Sequence, residues 1–181
     1  MSTEFRSWVE NRHEAVKEWK EKNKKQAVGY LCCVVPEALI YAAGALPVKI
    51  SGSGEKFEAV DEHMVPYGCG FVQSCFDLAV RGIYDYLDTV IIPNTCDLVA
   101  RMEYWYRVAA PKASTILMGL EAHPYVFYLN YPEKLTGSGV HNYLFNQFRR
   151  LKQHIERLTN TYITDEMLSQ ALEVYNEHFR L

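Results

Sequence analysis

Short apolar, β-branched runs alternate with helix-periodic segments along most of this chain, and that alternation restricts the fold more than any other feature. Ala27 to Val35, Leu46 to Ile50, Asp88 to Ile92 and Tyr125 to Leu129 have the length and content of buried strands. Between them, Pro36 opens a small-residue helix, EALIYAAG, that stops at Gly44, and Phe71 to Val80 and Asp97 to Val108 carry helical periodicity. Apolar strands separated by helices pair in parallel, because each crossover returns the chain to the same end of the sheet. The expected fold is α/β: a parallel-sheet, Rossmann/flavodoxin-like three-layer domain with an N-terminal helix and two C-terminal helices. The N-terminal helix occupies residues 1–26, where Thr3 to Lys25 offers Phe5, Trp8, Val9, Val16 and Trp19 for one apolar stripe. Residues 27–181 form a single domain. It closes with helices over Val140 to Leu158 and Asp165 to Phe179, the second entered through Thr164 as N-cap with two acids in its first turn.

With 181 residues, 49% of them hydrophobic, the chain is long enough to bury one substantial core. No run approaches the roughly 20 apolar residues a spanning helix needs, and no early apolar stretch follows a basic segment, so the expected address is the cytoplasm. A net charge of −3 argues against nucleic-acid binding, which leaves a basic footprint. The one basic stretch, Lys17, Lys20, Lys22, Lys24 and Lys25, alternates with Glu18 and Glu21 and reads as a solvated helix face.

Five cysteines without a secretory signal read as reduced thiols or metal ligands rather than a disulfide framework. In TVIIPNTCDLVARM an apolar run ends at Pro93 and Cys96 sits where a helix begins, a position that favours the thiolate, the form that binds metal or attacks. Cys32 and Cys33 close another apolar run and Cys69 precedes the helical CGFVQSCFDLAV. A parallel sheet gathers these strand-to-helix junctions on one rim, where loops can bring soft ligands together for an iron–sulfur cluster or a soft metal. Their spacing matches no C-x-x-C, ferredoxin or zinc-finger pattern, and free cysteines often serve as small buried hydrophobes. Cys75, about 240° around the helix from Cys69, reads as one of those.

The remaining conspicuous residues have bland readings. Gln73 and Ser74 can bond a substrate or a cluster sulfide, or merely cap and solvate a helix. Asp61, Glu62 and His63 are adjacent and suit a solvated loop better than one ion. His141 and His154 are too far apart for an i, i+4 metal pair, and SGSG at Ser51 to Gly54 lacks the Lys and Ser or Thr of a phosphate loop. Tyr104, Trp105 and Tyr106 point in different directions on a helix, so at least one belongs to the core.

Five stretches taken in order, GYLCCVVPEALIYAAGALPVKI, YGCGFVQSCFDL, DTVIIPNTCDLV, YVFYLNYP and ITDEMLSQALEVYNEHFRL, resemble the first half of the 2-hydroxyacyl-CoA dehydratase and benzoyl-CoA reductase family. The resemblance runs from about Gly29 to the C-terminus. It implies an oxygen-sensitive [4Fe-4S] cluster, single electrons received from an ATP-dependent activator protein, and ketyl radical chemistry on an acyl-CoA thioester. Carried over by motif, Cys69 of YGCGFVQS and Cys96 of PNTCD match the family's first two cluster cysteines and are the implied metal and cofactor ligands. Cys32 and Cys33 are secondary candidates for a missing ligand, and Glu37 and Ser74 are secondary candidates for catalytic roles.

Three departures accompany the resemblance. The family's third cluster cysteine belongs to a second α/β domain, so the ligand set in this chain is incomplete. The family's P-x-E-L-I places an acid third, where this chain has Ala38 and moves the carboxylate to Glu37, about 100° around the helix. Cys32, Cys33 and Cys75 exceed the family pattern. Two functional classes follow. One is the N-terminal domain of a dehydratase or reductase subunit, not active alone and needing a second domain or sister subunit, the activator and an acyl-CoA substrate. The other is a truncated, cluster-free domain of the same fold that acts as a binding or assembly partner, with a self-contained zinc or thiol-redox domain as a further option. A truncation surface is also a reason to expect a homodimer.

Overall fold

The computed structural model describes residues 7, 10–54, 57, 60, 69–110, 125–134, 136–178 and 180. Strands β1 (Ala27–Tyr30), β2 (Leu46–Lys49), β3 (Thr89–Pro93) and β4 (Val126–Leu129) form one parallel sheet in the order β2-β1-β3-β4. Val28 lies opposite Pro47 on one side and Thr89 on the other, and Ile91 lies opposite Phe127. The helices are α1 (Arg12–Asn23), α2 (Glu37–Ala42), α3 (Gly70–Val80), α4 (Asp97–Ala109), α5 (Val140–Thr159) and α6 (Asp165–His178).

β1, β3 and β4 are largely apolar because they are covered on both faces, whereas edge strand β2 is half-buried and ends in exposed Lys49. Ala27, Val90, Ile92 and Val126 point to a core shared with Phe76 of α3 and with Met102 and Tyr106 of α4. The alternate residues Val28, Tyr30, Ile91, Phe127 and Leu129 point the other way, to Leu39 and Ile40 of α2, Leu151 and Ile155 of α5, and Ala171 of α6. Period-two alternation therefore sorts each strand between two helical layers, and the expected three-layer parallel α/β fold is observed.

Several boundaries differ from those expected. The first strand ends at Tyr30 rather than continuing to Val35, because Cys32 takes a left-handed conformation (φ 62°) and turns the chain out of the sheet. Gly44 takes φ 75° just beyond α2, the conformation for which a glycine stop is suited. The Thr164 hydroxyl accepts a bond from the Met167 amide at 3.3 Å, the N-cap expected of α6. Helix α1 begins at Arg12, and Phe5, Trp8 and Val9 lie outside the described residues. Val16 packs on the first core, while Lys17, Lys22, Lys24 and Lys25 are exposed, as expected of a solvated face. Lys20 differs: its Nζ lies 2.7 Å from Asp88 Oδ2, which also accepts a bond from the Ala27 amide at 2.8 Å. This pair ties α1 to the starts of β1 and β3. Among the described residues no helix is long and apolar enough to cross a membrane.

Candidate functional site

The chain passes from β1 to β2 on one side of the sheet and from β3 to β4 on the other. The loops leaving β1 and β3 therefore part at the carboxyl ends of the strands, the crevice where open α/β sheets place ligands. Helices α3 and α4 both start at this rim with a cysteine in extended conformation as N-cap, Cys69 (φ −65°, ψ 119°) and Cys96 (φ −155°, ψ 167°). The two helices pack on the same face, with Phe76 and Trp105 6.2 Å apart between ring centroids. Both thiols are exposed, and neither is spent on capping its own helix. Half-buried Cys32 stands in the loop after β1, where its Sγ accepts a hydrogen bond from Thr95 Oγ1 at 3.1 Å. That bond links the Cys32 loop directly to the residue preceding Cys96. Cys33 is exposed beside it.

Cys75 is fully buried in the core beneath the rim. Burial, followed by the neighbouring Cys32 thiol, pushes its pKa up to about 12, so it remains a neutral thiol at physiological pH. Ser74, one residue earlier, is also buried, and its hydroxyl accepts from the Ser53 amide (2.8 Å) and donates to the Ser53 carbonyl (2.9 Å). Its candidate catalytic oxygen thus pins the SGSG loop. Ser51 is held in the same way by the Tyr84 hydroxyl, which accepts from its amide at 3.1 Å and donates to its carbonyl. Ser74→Ala is expected to cost about 1–2 kcal/mol, read as a lower urea midpoint. An unchanged midpoint would show that this loop is anchored by other contacts.

Glu37, at the start of α2, lies close enough to the phenols of Tyr30 and Tyr175 for its carboxylate to act on both. Burial first, and the carboxylate second, raise both tyrosines, Tyr175 to about 12. Glu37 thus lies where β1, α2 and α6 meet, and Ala38 beside it in the sequence is buried. Two rim residues escaped the reading of the sequence, although the polar PNT following an apolar strand marks them. Thr95 holds Cys32, and Asn94 braces the end of β4, donating to the Tyr131 carbonyl at 2.9 Å and accepting from its amide at 2.5 Å. The Tyr131 hydroxyl in turn donates to the Val34 carbonyl, closing the bracket onto the loop after β1.

The other conspicuous residues of the sequence differ in their surroundings. His141 is exposed, whereas His154 is buried with Nε2 2.9 Å from Thr89 Oγ1. Tyr104 is exposed, Trp105 half-buried and Tyr106 buried, as their spacing predicts. Gln73 is buried, and Asp61, Glu62 and His63 lie outside the described residues.

The donor chemistry of the rim suits a thiolate-ligated iron–sulfur cluster, with exposed soft thiols at two helix starts. Among the described residues, however, no three His, Cys, Asp or Glu side chains converge where a metal ion could be held. The fit is that of a partial ligand set.

Over 170 residues the chain is 27% identical to a benzoyl-CoA reductase subunit of Thauera aromatica, covering 92% of this chain and 41% of that protein. It is 25% identical over 175 residues to the (R)-phenyllactyl-CoA dehydratase beta subunit of Clostridium sporogenes, covering 97% and 44%. The beta subunit of (R)-2-hydroxyglutaryl-CoA dehydratase from Acidaminococcus fermentans is 27% identical over 154 residues, covering 84% and 38%. The chain thus spans about two-fifths of the length of these relatives. The sequence model described as 2-hydroxyglutaryl-CoA dehydratase, D-component, matches residues 32–181, which include all five cysteines, and the chain belongs to that family.

Proposed function

We propose that this chain acts as the first α/β domain of a 2-hydroxyacyl-CoA dehydratase or benzoyl-CoA reductase subunit, in which Cys69 and Cys96 supply two thiolates to a [4Fe-4S] cluster. The observation that carries the reading is the pairing of two exposed cysteines as N-caps of neighbouring helices on one rim, in a chain of this family. When bound, the cluster supplies single electrons, received from an ATP-dependent activator, to the carbonyl of an acyl-CoA thioester. The remaining ligand comes from a second domain or a sister subunit. Relatives named as subunits support such an assembly.

The chain's own residues prepare the rim. The Thr95 bond to Cys32 and the Asn94–Tyr131 bracket hold the loop that carries Cys96, so cluster and substrate meet a fixed surface. Cys75, neutral and enclosed, does not compete as a ligand. A cluster-free binding role is the second reading, favoured by the lack of a closed three-ligand group among the described residues.

Anaerobic reconstitution with iron and sulfide separates the two. The parent chain is expected to take up iron with a visible charge-transfer band and an electron paramagnetic resonance signal on reduction, and a Cys69→Ser, Cys96→Ser double variant is expected to lose both. Equal iron in parent and variant would remove these ligands. No iron in either would show that these residues alone do not hold a cluster, and the pair would then be repeated with the second domain or sister subunit present, where no iron would leave the binding role.

A further inference from the structure

Strand β4 is an edge of the sheet among the described residues, and a groove of about 390 Å³ runs along it between α4 and α5. Arg107 of α4 and Arg150 and Arg157 of α5 line this groove together with Tyr128, Asn130 and Gln153, and no Asp or Glu lines it among the described residues. Arg107 is anchored, pairing with Glu103 and donating from Nη2 to the outward Val126 carbonyl at 2.9 Å. Among the described residues Arg150 meets the Gln147 amide oxygen (3.3 Å), and Arg157 the Gln153 carbonyl (3.1 Å), through one nitrogen each. Neither has a carboxylate partner among the described residues.

Arg107 is balanced by Glu103, so Arg150 and Arg157 are the groove's uncompensated charges among the described residues, a local field opposite in sign to the chain's net charge. Among the described residues Arg150 and Arg157 each spend one N–H on a protein acceptor, and a planar guanidinium matches phosphate oxygens through paired hydrogen bonds. The groove volume lies within the range of small-molecule sites, about 300–1,000 Å³.

We propose that this groove binds phosphate groups, and that its ligand is the diphosphate and phosphomonoester end of an acyl-CoA. The identification of CoA rests on the thioester reading above, whereas the phosphate chemistry rests on the groove alone. The acyl end then extends along the domain toward the rim, and the arginines contribute affinity rather than chemistry.

Calorimetric titration of the iron-free chain tests this independently of cluster assembly. CoA, 3′-dephospho-CoA, pantetheine and inorganic diphosphate are compared on the parent, on an Arg150→Gln, Arg157→Gln double variant and on Arg149→Gln. Arg149 is a single-arginine control that lies over the Phe145 ring at 5.0 Å and is not among the residues lining the groove. CoA is expected to bind the parent and the control alike, to weaken with added salt, and to weaken about 10- to 100-fold in the double variant. Pantetheine is expected not to bind. Diphosphate bound as tightly as CoA, and lost in the double variant, would keep the phosphate chemistry and overturn CoA as its source. Equal CoA affinity in parent and double variant, pantetheine binding as well as CoA, or no binding of either phosphate ligand would overturn the proposal. Circular dichroism of the double variant distinguishes lost binding from lost fold.

Discussion

Gly29→Ala should destabilise the domain by about 1–3 kcal/mol, and Gly29→Val by more. Gly29 sits in the middle of β1, between β2 and β3, where a Cβ would lie 2.5 Å from Leu87 Cδ1, 3.2 Å from Ile50 Cδ1 and 3.4 Å from Val90 Cγ2. All three neighbours are fully buried, so none can swing into solvent to make room. The strand must move or the core must open, and both disturb the junction from which the Cys32 loop leaves. A domain of this kind has about 5–15 kcal/mol in total, so the valine variant removes a large share of its stability. Urea unfolding measures this directly. Leu87→Ala costs stability alone but is expected to recover part of the Gly29→Ala loss, because the two changes share one space. A Gly29→Ala midpoint equal to that of the parent would show that this face of the sheet is loosely packed.

The second large effect is alkaline unfolding. Tyr106, fully enclosed against Tyr125, is raised well above the ordinary phenol value by burial first, and Tyr125, whose hydroxyl donates to the Tyr84 carbonyl at 3.3 Å, is raised for the same reason. Tyr131 is pushed up to about 12 by burial and Cys75 to about 12 by burial and Cys32. These groups lose their protons more readily when unfolded, from about pH 8.5 for the thiol and about 10 for the phenols. Above those values the unfolded chain binds fewer protons than the folded one, so stability falls as pH rises. Their contribution is complete below about pH 8.5 and is lost between there and 12 and beyond. The melting temperature is expected to drop steeply above pH 9–10, with tyrosinate absorbance rising together with the loss of circular dichroism. Tyrosinate formation by Tyr106 and Tyr125 with an intact far-ultraviolet spectrum would show that these rings reach solvent in the native state. The acid side moves the other way: His13 is lowered mainly by burial, so its share of stability is lost as pH falls through about 6.5.

Much of the architecture is legible in the sequence because it is locally encoded. Pro36 and Gly44 bracket α2, Thr164 starts α6, and most strands lie within a few residues of the limits their apolar runs suggest. The exception is β1, whose apolar run outlasts the strand: the signal for its end is the backbone turn at Cys32, and a left-handed cysteine has no signature in composition. The candidate site is legible in part. Junction positions of Cys69 and Cys96 follow from strand-to-helix order, whereas the commitment of Ser74 to the Ser53 backbone depends on a partner 21 residues away in sequence, and the neighbours of Glu37 on one that is 138 away.

The sequence by itself determined the order of elements, the parallel sheet and the placing of cysteines at helix starts, because periodicity and caps are read over a few neighbouring residues. Helical spacing also marked Cys75 as the enclosed thiol, whereas only the tertiary structure decided that Thr95 meets Cys32 across two loops and that arginines from α4 and α5 line one groove. Those contacts join segments brought together by the packing of helices on the two faces of the sheet, and no local pattern records which side chains meet there.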